Sequence, residues 1–194
     1  MKTLPSKSYL ANANMIRNPF SSALATLCFI MIIICFSACS KNDDNGGEPS
    51  GDYYFRAKIG GKAINFHSVN FQGGGNDNRF EHIVIGGHES SYTASGPVSP
   101  SFDFEIWKVG SNITAGTYTT PGENMIARYA IQKKDGTLIY NTSYGDDAFT
   151  VKIEAISKTG IKGAFSGTVR NLAGEAVSIT DGTFNLPYET IINP

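Results

Sequence analysis

The sequence predicts an all-β domain, an antiparallel β-sandwich of about 8–10 strands, with a closed or partly open β-barrel as the alternative architecture. Three observations carry this. From residue 52 onward, apolar and polar residues alternate with the period of two that a half-buried strand requires. Turn pairs recur at short intervals along the same region. The composition, with 21 glycines, 12 phenylalanines and 9 tyrosines in 194 residues, favours pleated segments joined by tight turns. No segment of this region repeats with a convincing helical period.

The elements follow in order. "YYFRAKIGGKAINF" has apolar alternation on both sides of Gly60-Gly61, a strong hairpin signal. "FEHIVIGG" and "SFDFEIWKV" are further strands, separated by the Ser/Gly/Pro-rich loop "HESSYTASGPVSP". "MIARYAIQKKDGTLIYNT" places two strands around Asp135-Gly136, and "FTVKIEAISKTGIKGAFSGTVRN" two more around Lys158-Thr159-Gly160. The last strand lies in "AVSITDGTFNLPY" and should end at Pro187, which has no N–H to give a ladder.

Ahead of this domain the chain is organised differently. Residues 22–38, "SALATLCFIMIIICFSA", are uncharged and apolar, follow Arg17, and fall slightly short of the roughly 20 residues that span a bilayer. Residues 1–38 therefore read as a signal peptide, the alternative being an uncleaved membrane helix. Met15, just before Arg17, is a second possible start that would give a more usual signal length. Residues 39–51 open on Cys39 and continue as "SKNDDNGGEPSG", with no apolar residue to bury; this is a flexible, acidic tether. Twelve such residues reach at most about 40 Å when extended.

Charge and cysteine usage exclude several classes. Three of the 16 basic residues (Lys2, Lys7, Arg17) precede the apolar run, which leaves 13 against all 17 acids. No basic cluster larger than Lys133-Lys134 exists, so a phosphate-tracking nucleic-acid binder is disfavoured. Cys28 and Cys35 lie inside the apolar run, and Cys39 alone remains beyond it. The mature domain can form neither an intrachain disulfide nor a thiolate metal cluster.

The segment "FSAC", residues 36–39, resembles the lipobox of bacterial lipoproteins. That resemblance implies diacylation of the Cys39 thiol, cleavage before Cys39 and acylation of the new amino group. Two or three acyl chains, at about 0.8 kcal/mol per buried methylene, hold a protein to a membrane almost permanently. Asp43-Asp44 close behind the cysteine resembles the export signal of Bacteroidota surface lipoproteins, which implies display on the outer face of the outer membrane; the alternative is the periplasmic face. The "FRAKIGGKAINF" opening, the central "AGTYTT" and the closing "GAFSGTVRN…VSITDGTFNLPY" resemble a group of small Bacteroidota lipoproteins of uncharacterised function. The likeness covers most of residues 52–194, but its motifs are structural, so it implies fold and location and brings no reaction.

Candidate chemistry is sparse. His82 and His88 in "EHIVIGGHE" share one strand face, yet six residues at about 3.3 Å each put them about 20 Å apart, too far for one ion. The loops "GGGNDN" (residues 73–78) and "YGDD" (residues 144–147) lack the ligand spacing of a calcium loop. Ser166 in "GAFSG" sits in a strand pattern with the wrong spacing for a nucleophile elbow. Neither metal nor other cofactor is expected. In "SFDFEIWKV", Phe102, Phe104 and Ile106 form the core face, which puts Asp103, Glu105 and Trp107 outside. An outward tryptophan beside two carboxylates suggests a carbohydrate-binding surface, the ring stacking on a sugar and the acids accepting its hydroxyl hydrogens. Tyr54, alternating with Arg56 and Lys58, extends that surface if its strand lies nearby.

The resulting expectation is an outer-membrane lipoprotein, held in membrane lipid through acylated Cys39, whose single domain (residues 52–194) binds a glycan or an envelope protein without catalysis. An accessory subunit of an envelope complex with no ligand site of its own is the alternative. A hydrolase using Asp103 and Glu105 comes third.

Overall fold

Wherever the alternation is sustained, the chain is a strand. The computed structural model describes residues 51–75, 79–91 and 96–193. The expected signal peptide (residues 1–38), Cys39 and Asp43-Asp44 lie outside the described residues, as does part of the "GGGNDN" segment. Eleven antiparallel strands are present among the described residues: β1 (Tyr54–Ile59), β2 (Lys62–Asn65), β3 (His67–Gly74), β4 (His82–His88), β5 (Ser101–Trp107), β6 (Gly116–Thr120), β7 (Met125–Lys133), β8 (Gly136–Asn141), β9 (Phe149–Ile156), β10 (Gly160–Arg170) and β11 (Ala176–Pro187). The single helical element among them is a 3-10 turn at Thr142–Tyr144, and none is a helix long and apolar enough to cross a membrane.

The turns follow the residues that make them. Gly60 and Gly61 both have positive φ (56° and 86°), as a two-residue hairpin loop between right-twisted strands demands. The β7–β8 hairpin turns one residue earlier than the sequence suggests: Lys133 pairs with Gly136, so Lys134-Asp135 is the tip and Gly136 opens β8.

The pairing order is β2-β1-β11-β10 on one side and β8-β7-β5-β4-β3 on the other, with β9 and then β6 added beyond β10. β10 is the branch point. Residues 161–167 pair with β9, and Arg170 alone pairs with Asn141 of β8. At the opposite corner the chain itself passes from β2 through Phe66 into β3, and Val69 of β3 bridges Ile192. The result is a sandwich-like sheet folded over one core.

Aromatic rings from both layers fill that core. Phe165 of β10 lies 5.3 Å from Phe55 of β1 and 5.3 Å from Phe102 of β5, centroid to centroid, and 5.5 Å from Phe104. Phe102, Phe104 and Ile106 are fully buried, or nearly so, which is the face the alternation of "SFDFEIW" assigned to the interior. Rings at these separations add about 0.5–1.5 kcal/mol per pair beyond the area they bury.

Candidate functional site

The outer face of β4, β5 and β7 is built by register. Asp103 stands opposite Arg128 of β7 and Gly86 of β4; Trp107 stands opposite His82 of β4. Cross-strand neighbours on one face are close enough to interact directly, and here all of them do.

Arg128 clamps both carboxylates. Its Nε and Nη2 donate to Asp103 Oδ2 at 2.9 Å and 2.6 Å, and Nη2 also donates to Glu105 Oε1. From the other flank His82 Nε2 donates to Glu105 Oε2 at 3.1 Å. The Glu105 side chain is left only 13% exposed on what is formally an outer face. Burial pushes the Asp103 carboxyl above its ordinary value, against the downward pull of Arg128. Gly86 makes this cover possible: a Cβ there would sit 2.8 Å from Asp103 Cβ.

The expected role of the two acids therefore changes. Asp103 and Glu105 are outward, as the alternation requires, but three of their four oxygens hold Arg128 and His82. They are acids clamped by Arg128 and His82, whereas the expected sugar platform called for free hydroxyl acceptors.

Trp107 keeps the expected position. It is half-buried and its indole is stacked on the His82 imidazole, with 5.1 Å between centroids and 4° between planes. His82 takes the β4 side of the indole. Toward β7, where Trp107 N donates to Asn124 O at 2.8 Å, a shallow depression of about 480 Å³ is lined by Trp107, Val109, Glu123, Asn124, Met125, Ile126 and Ser143. An aromatic wall, apolar side chains and three groups able to exchange hydrogen bonds thus meet in one concavity. Val109 on its rim is 84% exposed.

Tyr54 belongs elsewhere. Its neighbour Phe55 is fully buried and packs on Phe102 from across the core, 6.0 Å between rings, so Tyr54 and Trp107 project from opposite outer faces. Tyr54 instead lies under the Arg56 guanidinium, 4.5 Å from its ring centroid. The condition for Tyr54 to extend the Trp107 surface is not met.

Other motifs resolve into structure. Asp147 of "YGDD" is bound by Arg170, with Nη2 to Oδ1 at 3.0 Å and a second contact from Nε. Ser166 is an exposed strand residue opposite Thr150. Among the described residues no group of three or more His, Cys, Asp and Glu side chains is placed to hold a metal ion. Arg128, Glu123, Asn124 and Ser143 were not singled out in the sequence. The alternation in "MIARYAI" does put Arg128 outward, but only the β5–β7 register brings it to Asp103.

Neither family models, curated proteins nor solved structures give a match to the chain. The candidate site rests on its own geometry.

Proposed function

We propose that this protein is an outer-membrane lipoprotein, anchored through Cys39 and displayed on the cell surface, whose β domain binds a glycan in the depression beside Trp107. One observation carries the binding half of this reading. A half-buried indole, braced by His82 at 5.1 Å on one side, walls an open concavity whose other sides offer Glu123, Asn124 and Ser143. A sugar ring has an apolar face of C–H groups and an equatorial girdle of hydroxyls. An indole covers the first, and carboxylate, amide and hydroxyl groups at its edge satisfy the second. Shallow sites of this kind suit one or two residues of a long polymer, which approaches from the side and need not be engulfed. The anchoring half rests on the lipobox "FSAC" and the acidic tether behind it.

The test is retention of the protein on a glycan array or in a polysaccharide gel. Trp107→Ala should abolish retention and lower the melting free energy by only about 1 kcal/mol, because the ring makes its stacking contact outside the core. Asn124→Ala should weaken retention about tenfold through loss of a single hydrogen-bonding group. Unchanged retention in Trp107→Ala would end this reading. For the anchor, Cys39→Ser should abolish incorporation of labelled fatty acid and release the protein from the membrane fraction.

A further inference from the structure

Strand geometry separates His88 from His82 by about 20 Å, too far to share one metal ion. In the fold His88 has a different partner. His67, which opens β3, stands directly opposite His88 at the end of β4.

That pairing depends on a β-bulge. Counting back from Asn70, which is outward and opposite Gly86, strict alternation would turn His67 inward and put Ser68 on the outer face. The register shifts between His67 and Asn70, so Ser68 and Val69 together oppose the single residue Gly87. The extra residue restores His67 to the outer side, in line with His88. Ser68 takes the left-handed conformation needed (φ 50°), and its N–H donates to Asn193 Oδ1 at 2.8 Å. Val69 and Ile192 exchange backbone hydrogen bonds of 2.9 and 2.8 Å. The C-terminal segment thus pins a non-glycine residue in a conformation that costs about 1 kcal/mol or more.

Both rings are oriented through Nδ1. His88 Nδ1 lies 3.4 Å from the carbonyl oxygen of Ser99, which can only accept; a proton on Nδ1 completes that bond, and in the neutral ring the lone pair is then on Nε2. His67 Nδ1 is 3.3 Å from Ser91 Oγ, which can accept the same kind of bond. Metal-ligating histidines typically show this arrangement, one nitrogen held by an oxygen and the other free to coordinate. Ser91, Ser99 and His88 also line a small cavity of about 160 Å³, so hydroxyl oxygens and room for solvent adjoin the pair.

We infer that His67 and His88 form a surface binding site for a late first-row divalent cation, Zn²⁺ being the working example. Directly opposed residues on an antiparallel pair have Cβ atoms about 4.5–5.5 Å apart, a separation from which two imidazoles can meet one ion at about 2.0–2.1 Å. Two nitrogen ligands select zinc, copper or nickel over calcium and magnesium, which prefer oxygen. The remaining coordination positions belong to water or to donors of an incoming molecule. This site lies at the opposite end of β4 from the Trp107 depression and does not depend on the glycan reading.

The chain contains three histidines, which makes the test specific. Zn²⁺ is titrated into the full chain solubilised in detergent, by calorimetry and by imidazole NMR. The expected result is one equivalent bound, with the His67 and His88 resonances shifting together and the His82 resonance unmoved. His67→Gln and His88→Gln should each lower affinity at least tenfold, and the double variant at least as much as either alone. Binding that leaves the His67 or the His88 resonance unshifted, binding that moves His82, or no binding at millimolar Zn²⁺ would overturn the inference.

Discussion

Two aspartates of the described domain sit beside arginines, yet their surroundings drive them in opposite directions. At Asp103 burial outweighs the pull of Arg128, and the carboxyl is raised above the ordinary 3.8. The folded state then binds that proton more tightly than the unfolded chain, so its contribution to stability is greatest below pH 3.8 and declines as pH rises through the raised value. At Asp147 the hydrogen bond from Arg170 dominates and the carboxyl is lowered. Its contribution is present above 3.8 and is lost as pH falls through the lowered value. Urea unfolding from about pH 2.5 to about pH 7 separates the two: the stability of wild type relative to Asp103→Asn should fall as pH rises, and that relative to Asp147→Asn should rise. The same sign for both would mean that one of these environments has been assigned wrongly. The outward placement of Asp103, Glu105 and Trp107 was legible from alternation within seven residues. What occupies them was not, because Arg128 is 25 positions away from Asp103 and only tertiary register joins them.

Strands are where the glycines acquire their reasons. "GAFSG" sits in a strand pattern, and in the fold Gly163 and Gly167 lie in the interior of β10, the strand that joins β9, β11 and β8. A Cβ on Gly163 would stand 2.1 Å from Lys152 O and 2.6 Å from the tip of the Phe184 ring. Neither backbone nor a buried ring can yield that far without shifting β9 or the core. Gly163→Ala is therefore expected to cost about 2–4 kcal/mol, read as a lowered urea midpoint with an unchanged m-value. A neutral result would indicate that β9 and β10 pack more loosely than described. Most hairpins were legible because Gly-Gly and short polar turns encode them locally. The bulge at Ser68 was not. Nothing in "FHSVNF" signals an inserted residue, since it exists only relative to the facing strand, and with it went the pairing of His67 with His88. The separation of β2 from β3 was lost for a related reason: Phe66 continues the alternation while the chain changes sheets. The eleven strands accordingly exceed the eight to ten expected.

For the molecule as a whole, stability should be graded from β10 outward. β10 and β11 are hydrogen-bonded along both edges over much of their length, whereas β6 pairs with β9 alone. Native-state amide exchange should find the slowest protons in the interior of β10 and β11 and markedly faster exchange on the unpaired edge of β6. Equal protection across the domain would instead indicate a single cooperative opening. The two places where the layers join are unlike: a lone Arg170–Asn141 pair at one corner, and continuous chain through Phe66 at the other. The sandwich reading holds because rings from β1, β5, β10 and β11 meet in one core, although the pairing path runs through both layers.

The pairing of β1 with β11 has a consequence for when the domain can exist. Arg56 and its partner Thr183 are separated by 127 positions, and β1 is otherwise paired only with the four residues of β2. During synthesis from the N-terminus, the strand made first must wait for the strand made last. Until residues 176–187 have emerged, β1 lacks its β11 partner and the sheet that covers Phe55 is incomplete, and the loop-closure entropy of the whole domain remains unmet. A nascent chain of this topology therefore cannot close its first strand onto its last until β11 is available.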